Sequence, residues 1–185
     1  MPLEISRRIT AANRCYFGLT RQMKSRLLAR ETKAQLYKTL IRPILAYAPQ
    51  AWTLTKSDEK GLHSFERKIL RRIYGPVRES DGWRRRTNRE LYSLYDDIDI
   101  LQYIKVGRLG WAGHVARMTE ESVPKKVLAE VLDGTKRRGK PTMRWIDGVA
   151  ADSRTLLNQP NWKVAARDRA GWRKLLEEAK THYGL

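Results

Sequence analysis

The sequence predicts an all-α protein, a helical bundle followed by a smaller helical C-terminal region. Apolar residues recur at spacings of three and four along most of the 185 residues. Capping residues and Gly or Pro stops bracket these series, and no period-two alternation marks a strand. Ile5, Ile9, Ala12, Tyr16 and Leu19 share one face of a first helix, while Arg7, Arg8, Arg14 and Arg21 point elsewhere. The second series, Leu36, Tyr37, Leu40, Ile41, Ile44 and Leu45, contains Pro43, so its helix should kink or end near Arg42. Residues 48–52 read as a turn. Ser57 is the expected cap of a third helix, with Asp58 and Glu59 in its first turn, where the helix dipole favours acids. Its core face is Leu62, Phe65, Ile69, Leu70 and Ile73, and Gly75-Pro76 stops it.

The basic, irregular stretch that follows is the expected boundary. The expected domains are therefore 1–75, a basic linker 76–86, and a helical C-terminal domain 87–185 carrying a basic loop at 133–143. Thr87 and Glu90 fit a capping box leading to Leu91, Leu94 and Tyr95. A longer helix over about 99–118 is built on Leu101, Ile104, Leu109, Ala112 and Val115. Gly107, Gly110 and Gly113 lie three apart on it, a poor helix choice unless something packs close to that backbone. Pro124 suits the first turn of a short helix through 132. Thr142 is the expected cap of a helix using Trp145, Val149, Asp152 and Leu156, and 158–161 break it. A last helix uses Trp162, Ala165, Ala166, Arg169, Trp172, Leu176 and Ala179.

Composition narrows the function. The chain carries 38 Lys and Arg against 20 Asp and Glu, a net charge of +18. A hydrophobic share of 41% with 6 Trp, 8 Tyr and 2 Phe supports a core and excludes disorder along the whole chain. No apolar run approaches the roughly 20 residues of a membrane span, and no charged-then-apolar leader follows Met1. Cys15 has no second cysteine to bridge, and three scattered histidines do not complete a zinc site. The expectation is an intracellular, reducing compartment, with nucleus and cytoplasm both fitting, no membrane partner and no cofactor. The charge is uneven: residues 1–42 carry +8, 64–89 carry +6 and 105–144 carry +6, while 90–104 reverse to −4. Such an excess interleaved with Trp and Tyr fits a phosphate-binding surface, since each neutralised phosphate releases condensed counterions. The plain alternative is a solvated charged surface.

Three clusters and one further arginine are candidate contacts. Arg67, Lys68, Arg71 and Arg72 lie at i, i+1, i+4 and i+5, making one side of the third helix cationic opposite its apolar side. Trp83, Arg84, Arg85 and Arg86 combine a ring able to stack on a base with three phosphate partners, or form a charged loop. Arg137, Arg138 and Lys140 around Gly139 resemble an AT-hook core, in which Gly lets the backbone enter a narrow minor groove, or form a basic linker. Arg144 follows that loop. Trp111, Trp145, Trp162 and Trp172 read as core rather than as stacking platforms. His114 reads as structural, and Cys15 as a small buried hydrophobe with no neighbouring His to activate it.

The residues also carry a resemblance. Ile9 through Trp52, with Tyr16, Lys33, Leu36-Tyr37, Pro43, Leu45 and Tyr47, resembles the segment following the catalytic palm in reverse transcriptases of jockey-like non-LTR retrotransposons. Three further blocks are similar, in the family's order: Phe65-Glu66-Arg67-Lys68-Ile69-Leu70-Arg71-Arg72-Ile73-Tyr74-Gly75, then Leu109-Gly110-Trp111-Ala112-Gly113-His114-Val115-Ala116-Arg117-Met118, then Arg138-Gly139-Lys140-Pro141 leading to Arg144-Trp145-Ile146-Asp147. A last match is Ala166-Arg167-Asp168-Arg169-Ala170-Gly171-Trp172-Arg173.

The resemblance implies a thumb-like helical region and a tail that grip RNA or DNA, with the palm supplied elsewhere as a partner. The family's polymerase motif is an aromatic, any residue, then two aspartates. The nearest segment here, Tyr95-Asp96-Asp97, lacks the intervening residue, and Asp96 and Asp97 read as solvated acids rather than metal ligands. The expectation is a non-catalytic nucleic-acid-binding fragment with no catalytic residue and no metal site. The competing readings are a protein-interaction module and a decayed element remnant.

Overall fold

The computed structural model describes residues 2–129 and 143–181. They form a mostly helical structure of two compact units, one of 2–48 with 54–103, the other of 49–53 with 104–129 and 143–181. The division falls at 103/104 rather than at 76–86, because the segment read as a linker folds into the first unit.

In the first unit α1 (Pro2–Gly18) precedes a short α2 (Thr20–Lys24). The helix containing Pro43 does not stop there: α3 (Arg30–Leu36) runs through a π-turn (Tyr37–Ile41) into α4 (Arg42–Leu45). Pro43 has no N–H to offer the preceding turn, and here the chain passes from α3 to α4 through a widened turn instead of stopping. It also solves a register problem. Tyr37, Ile41 and Leu45, all fully buried, are four apart, a spacing that drifts by about 40° per step in a regular α-helix. The wider turn keeps them on one line.

The longest helix, α5 (Lys56–Tyr74), starts two residues earlier than Ser57 predicts. Thr55 caps it, its hydroxyl accepting from Asp58 N–H at 3.2 Å while Asp58 accepts from Thr55 N–H at 2.9 Å. α5 packs against α1, α3 and α6 (Asn88–Tyr95). Its buried Leu62, Phe65, Ile69, Leu70 and Ile73 each contribute about 1.5–3 kcal/mol. Gly75, at φ +69°, ends it. The following residues form an antiparallel hairpin absent from the sequence reading, β1 (Val77–Glu79) with β2 (Gly82–Arg84), with Arg78 opposite Trp83. The Thr87–Glu90 capping box of α6 is present as predicted.

One carboxylate joins these elements. Glu66 is fully buried on α5. Its Oε1 accepts from Tyr37 Oη at 2.8 Å, and its Oε2 accepts from Tyr92 Oη and from Ile100 N–H, both at 3.0 Å. The π-turn, α5, α6 and the first residue of α7 (Ile100–Ala116) thus meet on one group. Burial raises its pKa to about 7 despite these donors.

The second unit contains the rest of α7, α8 (Val123–Ala129), α9 (Trp145–Leu157), α10 (Trp162–Ala165) and α11 (Arg169–Thr181). Residues 166–168 interrupt the single last helix expected from Trp162 onward, and Asp168 Oδ1 accepts from Ala170 N–H at 3.0 Å to start α11. The expected cap Thr142 lies outside the described residues; α9 begins where Asp147 accepts from Arg144 N–H at 3.1 Å. Its core includes Val106, Leu109, Ala112, Val149, Trp162, Ala166 and Trp172. Trp172 explains one of the three helical glycines: a Cβ at Gly113 would overlap its indole, whose Nε1 donates to Leu109 C=O at 3.2 Å. Leu176 lies 3.8 Å from a Cβ position at Gly110, and nothing approaches Gly107. A buried ion pair completes the unit. Arg108 donates through Nε and Nη2 to Asp152, and through Nη1 to Trp52 C=O at 2.7 Å. Gly148 leaves room for it, since a Cβ there would sit 3.2 Å from Arg108 Nη1.

Two outcomes follow from these contacts. Gly113→Ala should cost about 1–3 kcal/mol by overpacking the indole, whereas Gly107→Ala should gain up to about 1 kcal/mol of helix propensity; denaturant melts of the pair decide it. Because Glu66 prefers to be protonated in the folded state, its stabilising contribution is complete below about pH 4.5 and is lost as pH rises to about 7. That loss is about 3 kcal/mol at most. Glu66→Gln mimics the protonated form, its carbonyl placed to accept from Ile100 N–H and Tyr92 Oη and its amide to donate to Tyr37 Oη, and should flatten this pH dependence. An unchanged slope in urea melts of the variant would assign it to another group.

Candidate nucleic-acid interface

The phase of α5 is set by its buried side, so the residues between the core positions face outward. Lys68 and Arg72 are exposed, and Arg67 and Arg71 are half-buried. Lys68 Nζ is held by Asn13 Oδ1 at 3.0 Å and lies over the rings of Tyr16 and Phe17, at 5.4 and 5.2 Å from their centroids. These contacts orient the ammonium without neutralising it. Arg71 donates from Nη2 to Asn88 Oδ1 at 2.7 Å, and its buried Nε has no partner. Desolvation, followed by the charges of Arg85 and Arg67, lowers the Arg71 pKa. Arg67 and Arg71 on α5 and Arg85 after the hairpin therefore form one cluster of like charge, and among the described residues none of the three has a carboxylate partner.

The Trp83–Arg86 run divides. Trp83 is 72% exposed and Arg85 is exposed. Arg84 instead donates from Nε to Glu79 at 2.7 Å and from its two terminal nitrogens to Glu90 at 2.8 and 3.1 Å. These bonds lower the Glu90 pKa to about 2, with Arg84 the largest cause. Arg84 is thus a clamp between hairpin and helix cap rather than the free phosphate partner expected of it. Arg86 donates from Nε to Gly75 C=O at 3.1 Å, covering the end of α5. Arg144 is exposed at the start of α9. Arg137, Arg138 and Lys140 lie outside the described residues.

Other side chains depart from their sequence readings. Asp97 is no solvated acid: although burial opposes its charge, Lys38 at 2.9 Å and Arg42 at 3.2 Å hold its pKa low. Asp96 is exposed and closes α6 in a left-handed conformation, φ +48°. Trp162 and Trp172 are buried as expected, whereas Trp111 is 40% exposed and lies beside exposed His114, with ring centroids 5.3 Å apart. Cys15 is half-buried, its Sγ 3.9 Å from Leu40 C=O. Among the described residues no group of three His, Cys, Asp or Glu could hold a metal ion, and no helix is long and apolar enough to cross a membrane. Sequence reasoning missed the joining of Arg85 to Arg67 and Arg71, which needs the hairpin to fold the chain back.

A Caenorhabditis elegans protein named as uncharacterized and transposon-derived is 24% identical over 185 residues, covering 97% of this chain. The chain spans 66% of that protein's length, just under two thirds. No family model and no solved structure matches the chain.

The two neighbouring arginines should behave oppositely. Arg84→Ala should lower the melting temperature and speed amide exchange over 77–84, because it releases the hairpin from α6, while Arg85→Ala should leave both unchanged. Hydrogen exchange followed by mass spectrometry reads the difference.

Proposed function

We propose that the chain derives from a transposable element and is a nucleic-acid-binding, non-catalytic part of a non-LTR retrotransposon reverse transcriptase, its thumb and tail. The observation that carries the binding reading is the Arg67, Arg71 and Arg85 cluster, flanked by Lys68 and Arg72 and left without acids among the described residues. Like charges gathered from two elements repel one another, and a polyanion laid across them relieves that repulsion while releasing its own counterions. The contacts run to the sugar-phosphate backbone and carry little sequence preference. The transposon-derived relative and the resemblance of several sequence blocks support the parentage. The reverse-transcriptase motif is not matched at Tyr95-Asp96-Asp97, where Asp97 is bound to Lys38 and Arg42 instead of facing a metal. Polymerisation would therefore require a palm on another segment or chain.

Salt titration of binding to duplex DNA, RNA·DNA hybrid and single-stranded RNA tests this. Affinity should fall steeply between low and physiological salt, and replacing Arg67, Arg71 and Arg85 together by Gln should reduce the slope of log K against log salt by roughly 2–3. The wild-type chain should leave a primed template unextended in the presence of Mg²⁺. A salt-independent affinity, or nucleotide incorporation by the pure chain, overturns the reading.

A further inference from the structure

The second unit contains an open groove of about 690 Å³ between α7, α8 and α9. Its walls are apolar and unusually exposed: Val123 is 72%, Val127 68% and Trp111 40% accessible. Trp145 also lines it, its ring fixed because Nε1 donates to Gln50 C=O at 2.6 Å. Arg144 and Lys163, both exposed, are its charged lining residues, and no carboxylate is among the described residues that line it. A smaller adjoining cleft, about 200 Å³, shares Lys163 and adds Arg167; its other charges, Lys125 and Glu120, pair with each other at 3.4 Å.

An occupant must therefore present apolar flat or aliphatic surface to the walls and negative charge to the edge. Resting on the nucleic-acid reading above, we infer that this groove takes the unpaired nucleotides of a single strand, bases against Trp111, Trp145 and the valines, phosphates on Arg144, Lys163 and Arg167. Each nucleotide brings both an apolar face and a charge, so one repeating chemistry satisfies wall and edge together. Base–aromatic stacking of this kind is tolerant of sequence. A duplex, whose bases are already stacked on each other, cannot use the walls. In the first unit the exposed Trp83 beside Arg85 is a separate ring, so loss of the preference in the groove variants is what assigns it to the groove.

The test compares two probes on the full chain, a fluorescein-labelled 12-mer of thymidylate and an abasic 12-mer with the same backbone charge. The wild type should hold the thymidylate strand roughly tenfold or more tightly. Trp111→Ala and Val127→Asp, both at exposed positions and checked for unchanged helical circular dichroism, should remove most of that preference while leaving affinity for a 12-base-pair duplex within about twofold. Equal affinity of the wild type for both 12-mers, the result expected if the groove instead seats a protein helix, overturns the inference and leaves backbone binding standing. Preference retained in both variants also overturns it. Absence of binding to any of the three probes sinks this inference and the proposed function together.

Discussion

A fully buried carboxylate is costly unless donors converge on it, and the first unit is arranged so that three of them do. Tyr37, Tyr92 and Ile100 come from three different stretches of chain, and only one mutual placement of those stretches lets all three reach Glu66. Hydrophobic burial alone would tolerate sliding or rotation of α5; an unpaired charge in its place would not. The same constraint reaches the surface. With Glu66 pinned inward beside Phe65 and Ile69, the helix has no rotational freedom left, and Arg67, Lys68, Arg71 and Arg72 are delivered to the outside as a set. The candidate binding face is in this sense the reverse side of a core polar contact.

The second unit uses the same device with the sign inverted. Arg108 is 2% exposed and is balanced by Asp152 and the Trp52 carbonyl, binding α7 to α9 and to the 49–53 segment. Glycines make the close approaches possible. Gly113 admits the Trp172 indole and Gly148 admits the Arg108 guanidinium, so two residues that weaken a helix in isolation permit the contacts that hold it.

How much of this was legible follows from range. Helices with a strong apolar stripe and a local cap could be read directly, as at 88–95, because all the information lies within a few residues. The α5 cap was misplaced by two residues because Ser57 and Thr55 are both competent caps; what decides is the reciprocal bond with Asp58, three residues after Thr55. The hairpin escaped because three-residue strands are too short to show alternation, and because Arg84 bonds to Glu90 beyond the turn. Charge was legible in amount and not in availability: Arg84 and Asp97 are spent on each other's kind, and nothing local in the sequence marks them apart from Arg85 or Asp96. Val123 and Val127 fall on the short helix that Pro124 predicts, and only the three-dimensional structure shows them largely exposed.

The π-turn at Tyr37–Ile41 lets the first unit absorb a change of length. Such a turn spreads one residue more than an α-turn over nearly the same rotation, so excising exposed Thr39 or Leu40 would let the backbone relax into ordinary α geometry with its two flanks nearly in phase. Tyr37 would stay within reach of Glu66. Among sequences descended from a common ancestor with this chain, a one-residue gap at these two positions would therefore leave the core intact, whereas the same gap within α5 would turn its cationic side by about 100° against its buried one.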